Sequence, residues 1–163
     1  MTVKITGAVP TAKMLEKIKD HITSTKPIEG IVKEGQEEIK AKTKKFRDYK
    51  NRRFEEYSEA YAKKKGVGRA NVDLDLSGEM LRSMDGKVKS PHKGLIFIPN
   101  EGHPHARLRK DMLADIHNAG RIAGKKGRFM PKREFFNLNK TFIKKMKKKY
   151  FDDPILRIIR RMP

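Results

Sequence analysis

The longest apolar run in this chain is Leu95-Ile96-Phe97-Ile98, which lies between Gly94 and Pro99. A run this short suits a buried β-strand and falls far below the roughly 20 residues of a membrane-spanning helix. Asp85-Gly86 is a turn signal, and Lys87–Ser90 and Gly94–Pro99 are predicted as short strands. The core must therefore come from short strands and amphipathic helices.

Apolar residues recur at helical spacing near the start of the chain. The stripe in Met14–Ile22 predicts a short helix that ends before Pro27, because the residue before a proline disfavours helical geometry. A second helix is predicted at Ile28–Tyr49. Its apolar positions are sparse, and Gly30 and Gly35 weaken its first half.

Three further helices are predicted. A short one at Ser77–Ser83 has Ser77 as its N-cap. Another covers residues 105–118 and stops at Gly120. A lysine-rich helix covers Lys140–Phe151, and Asp153-Pro154 begins a last short apolar segment. In and directly before the short helix at Ser77–Ser83, the residues that we expect in the core are Leu76, Met80 and Leu81.

Together the segments predict an α+β fold, with a small antiparallel sheet packed with helices, a long N-terminal helix and a basic C-terminal helix. Asn71–Leu76 is a further extended candidate. Phe129–Leu138 is another, interrupted by Pro131, which suggests an edge strand or a bend. A length of 163 residues suits one domain. We expect an N-terminal arm at 1–26, an α+β core at 27–151 and a docking tail at 152–163.

The composition narrows the class of protein. Charged residues make up 37% and hydrophobic residues 36%, so the core should be thin. The chain has no cysteine, which excludes disulfides and cysteine-bound zinc and favours a reducing compartment. No signal peptide or membrane span is evident, so we expect a soluble product made in a cytoplasm.

Positive charge is concentrated at the C-terminal end. The net charge of the chain is +20, which implies polyanionic surroundings such as nucleic acid or an acidic protein. Residues 121–163 hold fifteen Lys and Arg against three acids, Glu134, Asp152 and Asp153, which gives +12. Solvated lysines are the simple alternative. The residues expected to contact a polyanion or partner are Lys144, Lys145, Lys147, Lys148, Lys149, Arg157, Arg160 and Arg161.

Signals for catalysis or metal binding are weak. His103 and His105 form a His-X-His pair, and His117 lies on a predicted helix. A zinc or manganese site would need a further ligand, and the sequence nominates none. Asp73 and Asp75 would share one side of a strand, where a solvated edge is commoner than a cation site. We therefore expect no enzyme activity, no metal and no cofactor.

Four ordered phrases carry a resemblance over roughly residues 46 to 150. They are Tyr57–Lys63, Leu76–Leu81, Ile116–Gly120 and Pro131–Phe135. Together they resemble the bacteriophage virion-morphogenesis family, the tail-completion and neck proteins. The motif residues, expected to be structural, are Leu76, Ser77, Gly78, Leu81, His117, Gly120, Pro131, Arg133 and Phe135.

The resemblance implies a small α+β subunit of a virion ring, assembled in the host cytoplasm and expected as a hexamer. Such a ring caps the tail and joins it to the head connector. Its implied partners are other copies of the chain, the connector and tail-tube proteins, and genomic DNA in the lumen, with no membrane. The charge alone favours a different class, a small basic nucleic-acid-binding protein. Asn118 and Phe136-Asn137 depart from the family pattern.

Overall fold

The computed structural model describes residues 8–72, 74, 78–103, 108–123 and 128–161. It is an α+β structure, as predicted. No described helix is long and apolar enough to cross a membrane. The elements are α1 (Ala8–Thr23), α2 (Lys26–Lys44), α3 (Glu59–Lys65), α4 (Glu79–Arg82), β1 (Asp85–Ser90), β2 (Lys93–Phe97), α5 (Lys110–Ala119), β3 (Arg121–Ala123), β4 (Arg128–Met130), α6 (Lys140–Lys147), a π-helical segment (Lys148–Asp152) and α7 (Asp153–Arg160).

The chain groups into two compact units. Unit 1 comprises Met1–Lys33, Lys87–Leu95 and Lys140–Pro163, and unit 2 comprises Glu34–Gly86 and Ile96–Asn139. Helix α2 and the strands β1 and β2 contribute residues to both units. The proposed division into arm, core and tail stays a prediction.

The break between the first two helices is where the sequence predicts it. Helix α1 ends at Thr23 and α2 begins at Lys26. Pro27 lies in the first turn of α2. Backbone N–H groups in a first turn have no acceptor within the helix, so a proline there removes no helical hydrogen bond. Ser24 Oγ accepts a hydrogen bond from the Lys26 N–H at 3.2 Å.

Helix α2 stops at Lys44, short of the predicted end at Tyr49. The cause is Phe46, whose φ of 59° lies in the left-handed region. Its N–H bonds to the Thr43 carbonyl at 2.9 Å. A residue in this conformation turns the chain and cannot continue a right-handed helix.

The strands form two small sheets, β1 with β2 and β3 antiparallel to β4. The prediction of a turn at Asp85-Gly86 is wrong, because both residues lie in β1. The chain instead reverses at Pro91-His92. In the predicted extended region Phe129–Leu138, β4 ends at Met130, directly before the interrupting Pro131, and the following residues are irregular up to the start of α6.

Two glycines of unit 1 allow close packing. A Cβ on Gly30 would overlap the ring of Tyr150, and a Cβ on Gly94 would overlap Val32. A glycine inside a helix costs about 1 kcal/mol relative to alanine. At Gly30 the packing of an aromatic ring against the bare backbone offsets that cost.

The C-terminal helix is longer than predicted. Helical structure continues past Phe151 and through the supposed separate tail, over residues 140–160. The middle of this stretch is π-helical, and there the Asp153 N–H donates to the Lys148 carbonyl. Helix α7 begins at Asp153 with Pro154 in its first turn, as the sequence suggests, but the π-helical segment joins it to α6 without a break.

A contact with α1 explains how the helix tolerates Pro154. Proline has no N–H, so the carbonyl four residues earlier, that of Tyr150, loses its α-helical donor. His21 takes that place, with Nε2 2.8 Å from the Tyr150 carbonyl oxygen. Nε2 must carry the proton to donate here. The His21 ring also meets Phe151 edge-on, with centroids 6.3 Å apart.

The core of unit 2 collects apolar residues from distant parts of the chain. Met80 is buried as expected, while Leu81 is half-buried against the same cluster. Leu76 and Ser77 lie outside the described residues, and Gly78, with φ 74°, occupies the N-cap position of α4. The core residues are Ile39, Phe54, Tyr57, Ala62, Val72, Leu74, Met80, Met84, Ile98, Ala114 and Phe135.

Two further predicted elements of unit 2 differ. The helix predicted at residues 105–118 begins at Lys110, whose buried ammonium lies 2.9 Å from Glu101 Oε2. The described residues of Asn71–Leu76 form no strand. Leu74 has a φ of 62°, which is incompatible with extended backbone.

We expect His21→Ala to lower the free energy of unfolding by about 1–2 kcal/mol, because the Tyr150 carbonyl loses its donor. The same replacement should cost less in a Pro154→Ala background, where a backbone N–H is restored. Urea denaturation of the four proteins measures the coupling, with Lys19→Ala on the same helix as the control. Equal losses in both backgrounds would refute this account.

Candidate functional site

Three of the four motif phrases meet in unit 2 at Arg133. Its guanidinium donates to the Glu55 carbonyl from Nε at 3.1 Å and from Nη2 at 3.0 Å, and to the Glu56 carbonyl at 3.4 Å. The guanidinium carbon lies 5.2 Å from the ring centroid of Tyr57. The Arg133 backbone N–H donates to the His117 carbonyl at 2.7 Å. One residue thus joins all three phrases.

Arg133 is a buried cation, with 3% of its surface exposed. Burial lowers the pKa of Arg133 because the charged form loses hydration. Two carbonyls and the electron-rich face of Tyr57 compensate that loss. The role that the geometry gives Arg133 is structural, since it fixes the backbone just before α3.

Tyr57 and Ser58 shape the start of α3. Ser58 is the N-cap, and its Oγ accepts from the Tyr61 N–H at 3.4 Å. The rings of Tyr57 and Tyr61 meet edge-on with centroids 4.8 Å apart. The Leu74 N–H donates to Tyr57 Oη at 3.2 Å. Phe54, Tyr57 and Tyr61 are spaced as on one helical face or in an aromatic cluster. Tyr57 and Tyr61 form a cluster, because Tyr57 precedes the helix.

A glycine is required at position 120, where the phrase Ile116–Gly120 meets the phrase Pro131–Phe135. It follows α5 with a φ of 66°, and the Ile116 carbonyl accepts its N–H. A Cβ there would lie 2.8 Å from the backbone nitrogen of Lys132. Asn118 Oδ1 accepts from the Phe136 N–H at 3.1 Å. The end of α5 and the irregular segment that follows Pro131 therefore lie backbone against backbone.

These contacts border an open groove of about 460 Å³, which we call the motif groove. It presents tyrosine rings, the partly exposed guanidinium of Arg69 and the segment that holds Glu55 and Glu56. Ser58 Oγ accepts the capping bond from the Tyr61 N–H, and the Arg133 guanidinium donates to backbone carbonyls. Its lining residues are Glu55, Glu56, Tyr57, Ser58, Tyr61, Arg69, His117, Met130, Pro131 and Arg133.

Metal binding finds no support in the part of the chain that the structure describes. No three His, Asp or Glu side chains come together there as ligands. His103 is buried, and His117 contributes its carbonyl to Arg133. His105, Asp73 and Asp75 lie outside the described residues.

The predicted polyanion contacts all lie on the C-terminal helix or, for Arg161, directly after it, and all are exposed. Two of them are ion-paired, Lys147 with Asp152 at 3.7 Å and Lys148 with Asp153 at 3.3 Å. Lys149 lies over the Tyr150 ring at 5.3 Å. The apolar side of this helix is narrower than its sequence suggests. Phe142 and Met146 are buried, whereas Ile143 is 54% exposed.

Sequence reasoning missed several lining residues of the motif groove. Arg69 donates from Nε to the Tyr57 carbonyl at 3.1 Å, and Glu55 and Glu56 provide the carbonyls that Arg133 holds. No local pattern marks them, because their role depends on distant segments. No family model, curated protein or solved structure matches this chain.

Gly120→Ala should lower the free energy of unfolding by about 2–4 kcal/mol, through left-handed strain and the clash with the Lys132 backbone. Gly66→Ala is the matched control. It has a φ of 72° at the end of α3 but nothing within 4 Å of its Cβ position. It should cost only about 1 kcal/mol. Urea denaturation that gives equal losses would contradict the backbone contact.

Arg133→Gln should lower the free energy of unfolding by about 2–4 kcal/mol, because buried carbonyls lose charged donors. Lys132→Gln is the control. Lys132 is exposed, and its hydrogen bond to Glu134 lowers the pKa of that carboxyl. Its loss should cost about 0–1 kcal/mol. If Arg133→Gln is no worse than Lys132→Gln in thermal or urea melts, the buried guanidinium does not hold this site together.

Proposed function

We propose that this chain is a structural bacteriophage virion protein of the neck or tail-completion class. It forms a ring that caps the tail and joins it to the head connector. The observation that carries the proposal is the meeting of Tyr57, His117 and Arg133, which belong to three separate phrases of the resemblance. Each phrase alone is weak, but phrases that share one set of backbone contacts support a common origin for the pattern.

The nature of those contacts also favours a structural role. Arg133 donates to backbone carbonyls, Gly120 allows backbone approach, and Phe135 is 1% exposed in the core. Residues that an enzyme needs for chemistry would instead converge on a substrate with free polar groups. The motif residues thus support a subunit that must keep one shape within an assembly, without catalysis or a cofactor.

The cationic C-terminal helix supports the proposed partners. Lys144 and Lys145 are exposed and carry positive charge that a ring would repeat in every subunit. Such charge is self-repulsive unless a polyanion neutralises it. Genomic DNA in the lumen, or an acidic surface on a connector or tail-tube protein, has the required charge.

A second function has its own support. The exposed C-terminal cations also suit a small basic protein that binds nucleic acid without forming a ring. The two functions predict different solution behaviour. A ring protein has a fixed multiple of the subunit mass after nuclease treatment, whereas a nucleic-acid binder co-purifies with RNA or DNA and becomes a monomer or dimer once it is removed.

Sedimentation and negative-stain electron microscopy of nuclease-treated protein test the proposal. We expect closed rings, with the hexamer as the expected copy number. Lys145→Glu with Lys148→Glu should block joining to particles while circular dichroism stays unchanged, because both side chains are exposed. A monomer at every concentration, together with particle joining that ignores the charge reversal, would reject the ring.

A further inference from the structure

An open pocket lies between α1 and the end of the C-terminal helix within unit 1. It is lined by Lys17 from α1, by Arg157 from α7 and by Arg161 directly after α7, together with Pro154 and Ile158. Its volume is about 330 Å³, and it opens to solvent. We call this the Lys17 pocket. Arg157 and Arg161 are expected polyanion contacts, whereas nothing in the sequence marks Lys17.

The three cations line one pocket without a neutralising acid. None of them forms an ion pair with any residue in the described ranges, in contrast to Lys147 and Lys148 on the same helix. Arg157 and Arg161 are four residues apart and so lie on the same helical face, where like charges repel. Packing of α1 against α7 adds the third charge. An external anion would relieve this repulsion.

The donor set matches a phosphate. A guanidinium offers parallel N–H groups that bind two oxygens of a phosphate at once, and an ammonium adds a compact charge. Pro154 and Ile158 provide an apolar wall against which a sugar can pack. Carboxylates share the oxygen geometry, but the remaining exposed cations of the C-terminal helix favour a ligand with a repeated charge.

We propose that the Lys17 pocket binds a backbone phosphate of nucleic acid. The proposal deepens the polyanion contact of the proposed function and rests on it for the biological setting. Binding through a phosphate is independent of sequence, as required for DNA that passes through a ring. Lys17 is then a positioning cation supplied by α1 to a binding surface that otherwise belongs to the C-terminal helix.

The test compares two triple variants with equal charge loss. The pocket variant carries Lys17→Gln, Arg157→Gln and Arg161→Gln. The control variant carries Lys13→Gln, Lys19→Gln and Lys26→Gln, which replace three exposed lysines of the same unit that do not line the pocket. Fluorescence anisotropy with a short labelled DNA duplex, measured over a salt series, gives affinity and salt slope. Circular dichroism confirms that both variants are folded.

We expect the pocket variant to bind DNA at least about tenfold more weakly than the control, with a log–log salt slope smaller by about 0.9 for one lost phosphate. Replacing both arginines by lysine keeps the charge but removes the forked donors, so it should also weaken binding. Equal losses in the two triple variants would show an effect of net charge alone and overturn the proposal.

Two more measurements separate the competing explanations. If the pocket variant loses binding to poly-glutamate but keeps DNA, the pocket serves an acidic protein and the proposal is wrong. Ring formation is scored separately by sedimentation. If DNA binding depends on the pocket but the protein forms no ring, the pocket is supported and the proposed function is rejected. If the protein forms rings but DNA binding does not depend on the pocket, the proposed function is supported and the pocket is rejected.

Discussion

The buried guanidinium of Arg133 is the interaction on which the architecture of unit 2 most depends. A cation at 3% exposure is stable only where fixed dipoles replace its water. The carbonyls of Glu55 and Glu56 and the ring of Tyr57 do this, and they lie far from Arg133 in sequence. Gly120 is part of the same requirement, because only a residue without Cβ lets α5 end against the Lys132 backbone. Local order before α3 and after α5 therefore follows from one charge.

Elements that depend on local chemistry could be predicted from the sequence. The α+β class, the break before Pro27 and the helix end at Gly120 follow from backbone rules that act over a few residues. The hairpin turn was missed because Asp85-Gly86 is the stronger local signal, yet the chain turns at Pro91-His92. The pairing of β1 with β2 determines the strand register, and the local turn propensity of Asp85-Gly86 does not override it.

Elements that depend on distant partners could not be predicted. Pro154 marks the start of α7, as predicted, but the unbroken helical structure before it depends on His21, which supplies the missing donor to the Tyr150 carbonyl. Gly30 is predicted to weaken α2, but its missing side chain lets the Tyr150 ring pack against the helix backbone. The candidate site shows the same limit. The motif residues could be nominated one by one, while their meeting at Arg133 depends on tertiary contacts that no single segment encodes.

The distribution of ion pairs separates two kinds of positive charge on the C-terminal helix. Lys147 and Lys148 have aspartate partners on the following turn, so part of their charge is already compensated within the chain. Arg157 and Arg161 have Lys17 beside them instead. Natural surfaces usually mix signs at such short range, and concentrated charge of one sign costs folding energy through self-repulsion. The three cations around the Lys17 pocket therefore lower the stability of the fold through repulsion, and a bound anion would offset that repulsion.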